Sequence, residues 1–332
     1  MLNRRQFLAA SGWAGASLAF SGVLASGGGP QAANPSLDAD AFHGLRRYLR
    51  TAFGDIAYVE QGQGAAALFL HGFPLNGFQW RGVLPRLAPY RRCIAPDFLG
   101  LGYTRVAEGQ AVAPEDQVAM LLDLMDTLGI ASADLVASDS GGAVAQLLLA
   151  RHPERVRTLL LANCDTAIDS PPPAMLPVID LARQGRFIDD WLGRWHADPA
   201  LARSAEGIGG MCYTDPAQPS DEAIDTYFGP MLSTQRRTGL GNAYAVALAR
   251  NALAGSADAL RQCRAPVRVV WGMADTIFGQ HNAEYLAQAF GNARGVRRLA
   301  GAKLFWPEEQ PQVIAEEARA LWNAWVPVAV RR

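Results

Sequence analysis

The sequence predicts an α/β fold, a mostly parallel eight-stranded sheet flanked by helices, with a helical segment inserted after the sixth strand. Three observations carry this. Short continuous apolar runs, the mark of strands buried on both faces, alternate with stretches of helical periodicity. The alternation lapses once, over 168–255, where sequence rich in tryptophan, arginine and helical periodicity replaces it. Four of the apolar runs end in small, polar or turn-forming residues, at the strand ends where open α/β sheets bind ligands.

The elements follow in order. "GLRRYLR" and "GDIAYVEQG" read as two strands joined by a turn at Phe53–Gly54. "AAALFLHG" is a third strand, "FQWRGVLPRLA" a short helix, and "RRCIAPD" a fourth strand closed by Pro96 and Asp97. Pro114 to Leu128 has helical periodicity, acidic residues in its first turn and Gly129 after its end. "ADLVAS" is the fifth strand, "GGAVAQLLLARHP" a helix stopped by Pro153, and "VRTLLLAN" the sixth strand. After the lapse, "APVRVVWG" and "GVRRLA" are strands, "HNAEYLAQAF" is a helix, and Gln312 to Trp325 forms the last helix. The core is therefore expected at 41–167 and 256–332, with a helical cap at 168–255.

Half of the 332 residues are hydrophobic, enough for one large core with a subdomain. A formal net charge of -1 leaves no electrostatic footprint for nucleic acid. Residues 1–33 read as an export signal and linker: a basic start, a run of small and apolar residues, then a glycine-rich break. Arg4–Arg5 followed by Gln6, Phe7 and Leu8 resembles the bacterial twin-arginine motif, which implies a periplasmic or secreted protein. Serine and glycine dilute the apolar run, so it makes a poor permanent membrane span. The four cysteines, Cys93, Cys164, Cys212 and Cys263, lack metal-ligand spacing. "GLG" at Gly100–Gly102 lacks the third glycine of a dinucleotide fingerprint, and no cofactor motif or metal cluster is read.

"HGFP" (His71–Pro74), "PDFLGLGYT" (Pro96–Thr104), "ASDSGG" (Ala137–Gly142) and "WGMAD" (Trp271–Asp275) stand in that order at strand ends. Together they resemble the α/β-hydrolase superfamily over about Leu45 to Trp325. In that fold the nucleophile sits on a sharp strand-to-helix turn, which demands small residues two before and two after it. Asp139, with Ala137 and Gly141, satisfies this; so does Ser140, with Ser138 and Gly142. The family register, "LVGH", nucleophile, one residue, "GGAVA", places Asp139 at the nucleophile position. That resembles the epoxide hydrolase and haloalkane dehalogenase branch.

An aspartate with a pKa of about 3.9 is ionised at neutral pH and attacks a saturated carbon without a base. The resemblance implies an oxyanion hole from the backbone N–H groups of Phe73 and Ser140, a structural role for His71, and Asp275 as the orienting acid. Many members carry a tryptophan after the nucleophile, which in dehalogenases helps to hold the halide; here the residue is Ser140. Epoxide hydrolases use two cap tyrosines, and Tyr213, Tyr227 and Tyr244 are available.

The histidine is missing. The family pattern "GAGHFPxEEQP" meets "GAKLFWPEEQP", Gly301–Pro311, and places Leu304 at the histidine position. Loss of such a histidine costs on the order of 10⁶ in rate in a serine hydrolase, roughly 8 kcal/mol. His281 and Lys303 are the candidate substitute bases, although an ammonium with a pKa of about 10.4 needs strong desolvation to serve. The expected function is hydrolysis of a small organic molecule (an epoxide, alkyl halide or ester) through Asp139. Its alternatives are a lyase or isomerase using Asp139 as general base, or a ligand-binding degenerate hydrolase.

Overall fold

The computed structural model describes residues 36–107 and 109–323; residues 1–33, read as an export signal, lie outside them. The strands are β1 (Arg46–Thr51), β2 (Gly54–Gln61), β3 (Ala66–Leu70), β4 (Arg92–Pro96), β5 (Arg105–Val106), β6 (Ala133–Asp139), β7 (Val156–Cys164), β8 (Val267–Gly272) and β9 (Ala293–Leu299). The apolar runs of β3 and β6 are buried along their whole length and those of β4, β7 and β8 nearly so, whereas β1 and β9 carry exposed charged residues. The strand order is β1-β2-β4-β3-β6-β7-β8-β9, and β5 pairs with the first residues of β2 off this path. The hairpin β1–β2 is antiparallel, as is β2–β4; β3, β4, β6, β7, β8 and β9 run parallel. The eight expected strands are present. The addition, β5, is two residues long and too short to carry a periodic signal.

Close helix–strand contact sets the elbow. The helix Ser140–Arg151 starts directly at the end of β6. A Cβ on Gly141 would lie 2.4 Å from the His71 carbonyl, and one on Gly142 would lie 2.3 Å from the Cys164 Cβ. Only glycine lets the helix approach both neighbouring strands at once. The helix Pro114–Thr127 opens on Pro114, and Asp116 accepts the Ala113 N–H at 2.9 Å.

Between β7 and β8 the chain is helical, including Leu176–Arg183, Asp221–Leu232 and Gln235–Ala247. The aromatic residues that broke the sequence pattern supply this segment's own core: Trp195, Tyr213, Tyr227, Phe228 and Tyr244 are buried. Asn76 donates to the Thr226 carbonyl at 2.8 Å, joining the segment to the loop after β3. Rings run in a continuous contact series from Phe73 through Phe187, Trp191 and Trp195 to Phe228. All four cysteines are free and buried, as small hydrophobes.

Candidate active site

Asp139 ends β6 with φ 55° and ψ −137°, and among the described residues it is the non-glycine residue with positive φ. Such a conformation costs roughly 1–3 kcal/mol and persists where surrounding packing imposes it. Here the packing is Gly72, where an added Cβ would fall 2.3 Å from the Asp139 Cβ. The strained turn aims the side chain at the loop after β3. Oδ1 of Asp139 accepts the Phe73 N–H at 3.0 Å and the Ser140 N–H at 2.5 Å. The two donors expected to form an oxyanion hole thus converge on one carboxylate oxygen. Burial pushes the Asp139 pKa up to about 6, and these backbone bonds hold it from rising further.

Ser140 reaches the helical segment: its Oγ lies 3.2 Å from the Tyr244 hydroxyl. The Tyr244 ring stacks on Phe73, centroids 5.3 Å apart and planes 12° from parallel. Burial raises the phenol pKa, so Tyr244 keeps its proton.

Asp275 lies in the turn after β8. Its Oδ2 accepts from Asn163 Nδ2 at 2.8 Å and its Oδ1 from the Ile277 N–H at 2.8 Å. Burial pushes its pKa to about 7 against those bonds.

A third carboxylate, Asp165, is one that sequence reasoning missed. It follows β7 directly, and in the sheet register Asp139 pairs with Cys164. Its main-chain oxygen is fixed by Gln146 Nε2 at 2.8 Å. Burial, then the charge of Asp139, push its pKa up to about 8. The usable signal was "ANCDTA", an acid at the carboxyl end of a buried strand, the place where this architecture puts its chemistry. Asp139, Asp165 and Asp275 are each 7% exposed. Among the described residues none of them forms an ion pair; the pair on the same loop joins His281 to Asp169.

A protein-family profile described as "alpha/beta hydrolase fold" matches residues 67–308. The chain belongs to the α/β-hydrolase family. A haloalkane dehalogenase of Mesorhizobium japonicum is 42% identical over 108 residues, 30% of this chain and 33% of that protein. A 2-hydroxymuconate semialdehyde hydrolase of Pseudomonas sp. (strain CF600) is 39% identical over 105 residues, 31% of this chain and 37% of its own. The chain therefore matches about a third of the length of these curated relatives. An epoxide hydrolase solved without ligand superposes with TM-score 0.69 at 22% identity, covering 84% of this chain and 98% of its own. A haloalkane dehalogenase from Bradyrhizobium elkani USDA94 does so with TM-score 0.67 at 24% identity, covering 84% and 99%. These two likenesses show the fold.

As an α/β hydrolase the chain is unusual where the histidine belongs. Leu304 is buried in the apolar core. The candidate substitute bases are not joined to Asp139. His281 is 63% exposed, with Nε2 3.2 Å from Asp169 Oδ2. Lys303 donates its ammonium to the Gly210 carbonyl at 2.5 Å. An acid captures one and a main-chain carbonyl the other, so each has an ordinary structural partner.

His71 is fully buried, with Nδ1 2.9 Å from the Gly72 carbonyl and Nε2 accepting the Phe98 N–H at 3.0 Å. Burial lowers its pKa, which leaves a neutral ring bracing the loop after β3. Of the three tyrosines, Tyr244 alone bonds a residue of the elbow. Tyr213 and Tyr227 donate to Glu308 at 2.7 and 2.8 Å, and Glu308 also pairs with Arg81. That cluster ties the helical segment to the core.

Proposed function

We propose that this α/β hydrolase opens a small organic electrophile, an epoxide in the first instance, with Asp139 as nucleophile and the helical segment 168–255 as its cap. The observation that carries the reading is the anchoring of Asp139 Oδ1 by the Phe73 and Ser140 N–H groups. With one oxygen held, the carboxylate presents Oδ2 for attack on carbon. In the ester that forms, Oδ1 becomes the carbonyl oxygen and already occupies the oxyanion hole. When water attacks that carbonyl, the same donors stabilise the tetrahedral oxyanion, each by about 2.7–4 kcal/mol in comparable enzymes. Asp275 serves as a fixed acid beside the site.

Two features favour an epoxide over an alkyl halide. Ser140 stands where the resemblance puts a halide-holding tryptophan. The Tyr244 hydroxyl, at Ser140, supplies an O–H to hydrogen-bond the opening oxygen. The rings of Phe73, Phe187 and Trp191 suit an apolar or amphipathic substrate. Read as a twin-arginine signal, residues 1–33 export the enzyme to the periplasm or beyond.

Leu304 favours one competing reading, in which Asp139 is a general base in a lyase or isomerase reaction and forms no ester. Intact mass of the mature protein, after rapid quench with a panel of epoxides, alkyl halides and activated esters, separates the two. The expected result is an added mass equal to one substrate-derived group, mapped to Asp139. Turnover with no adduct at any quench time overturns the covalent reading in favour of the general base.

A further inference from the structure

Three buried carboxylates at the ends of adjacent strands, with no cation paired to them among the described residues, must share protons, because like charges in a dry site do not all ionise together. The proton inventory of this site is therefore part of its chemistry. Asp275 is poorly suited to exchange protons: both of its oxygens already accept hydrogen bonds, from Asn163 and Ile277. Asp165 directly follows Cys164, the residue that pairs with Asp139 in the sheet. Its main chain is pinned by Gln146, and its side chain is bonded by Ser170. The Asp139–Cys164 pair forms across a register shift at the end of β6, and Asp165 lies near enough for the Asp139 charge to act on it.

Resting on the covalent reading above, we propose that Asp165 is the acid–base residue that takes the place of the missing imidazole. In the free enzyme Asp139 is ionised and Asp165 is protonated. Oδ2 of Asp139 attacks an epoxide carbon, the C–O bond breaks, and the alkoxide takes the proton from Asp165. Esterification removes the negative charge of Asp139, the very charge that had favoured the proton on Asp165. Asp165 is now a carboxylate and accepts a proton from a water lying between the two side chains. The resulting hydroxide adds to the ester carbonyl carbon, with its oxyanion held by Phe73 and Ser140. Collapse breaks the ester C–O bond, and the departing alkoxide takes the proton from the new Asp139 carboxylic acid. The diol leaves, Asp139 is ionised and Asp165 protonated again. One epoxide and one water are consumed, and no external base is needed.

The groups facing Asp165 fit this cycle. Asp139 and Asp169 favour its protonated form, as does burial. His281 holds Asp169 from the solvent side, Asn282 donates to the same Asp169 oxygen at 2.8 Å, and Tyr244 and Cys164 remain protonated through burial.

The test uses the full mature chain with terminal epoxides, styrene oxide first. In wild type, kcat/KM is expected to be bell-shaped, rising as Asp139 ionises near pH 6 and falling as Asp165 loses its proton near pH 8. In Asp165→Asn the alkaline limb disappears, ester formation slows for want of the acid, and the Asp139 ester, once formed, is hydrolysed about 100-fold or more slowly. Ester hydrolysis at the wild-type rate in Asp165→Asn overturns the proposal. So does a wild-type profile that stays flat through the alkaline range, a readout that does not depend on how the variant folds. Single turnover in ¹⁸O-water keeps the two readings apart. Label entering the Asp139 carboxylate supports the nucleophile whatever the base is, and its absence during turnover overturns the nucleophile reading itself.

Discussion

The carboxylate of Asp275 is bonded to the side-chain amide of Asn163, 2.8 Å away on the neighbouring strand β7. Where the α/β-hydrolase resemblance calls for an imidazole on this acid, an asparagine is its side-chain partner. Asn163 also donates to the Gly272 carbonyl, and its Oδ1 accepts from the Gly272 N–H and Trp306 Nε1. One amide thus satisfies four polar groups around the acid.

Asn163→Ala is accordingly expected to destabilise the fold by about 2–4 kcal/mol, since each orphaned buried group costs about 1–3 kcal/mol and partial relaxation recovers some of it. Denaturant unfolding measures this directly. A loss below about 1 kcal/mol would mean that water replaces the amide.

Asp139→Asn is expected to abolish turnover, by 10⁴-fold or more on the scale of lost nucleophiles. The fold should be retained or strengthened, because the substitution removes a buried charge without a cationic partner. Steady-state kinetics and a thermal melt on the same preparation check both. Activity within tenfold of wild type would remove Asp139 from the chemistry.

Tyr244→Phe keeps the stack on Phe73 and deletes the hydroxyl at Ser140. Ring opening should slow by roughly 10- to 100-fold, about 1.4–2.7 kcal/mol. An alkyl halide, whose leaving group needs no proton, should lose much less. Equal losses on both substrates would assign Tyr244 to packing.

Stability should depend on pH through Asp139, Asp275 and Asp165, whose folded pKa values are raised to about 6, 7 and 8. A carboxyl with a raised folded pKa binds its proton more tightly when folded. Its contribution is full below the unfolded pKa near 3.8 and is lost as pH rises through the folded value. A tenfold difference in proton affinity between the folded and unfolded chain is worth about 1.4 kcal/mol. Asp165→Asn should therefore gain on wild type as pH rises from about 4 to about 8. Unfolding free energies measured at several pH values give the difference, and a constant gap would show that Asp165 titrates normally.

Local pattern determined much of this protein in advance. The buried runs of β3, β6 and β7 announce themselves, because a strand covered on both faces needs continuous apolar sequence. The elbow was legible because a sharp strand-to-helix turn tolerates only small neighbours, a rule that Asp139 and Ser140 both meet, so the family register had to choose Asp139; Leu304 was legible because the residues around it keep a recognisable local order. Tertiary structure alone decided which distant groups meet. Ser140 and Tyr244 are 104 positions apart, and Asn163 and Asp275 are 112 apart. The same packing sent Tyr213 and Tyr227 to Glu308, gave His281 to Asp169, and buried Asp165 one residue beyond the sheet partner of Asp139. Sequence periodicity reports which face of an element is apolar, whereas a hydrogen bond or a raised pKa depends on what another element places opposite it.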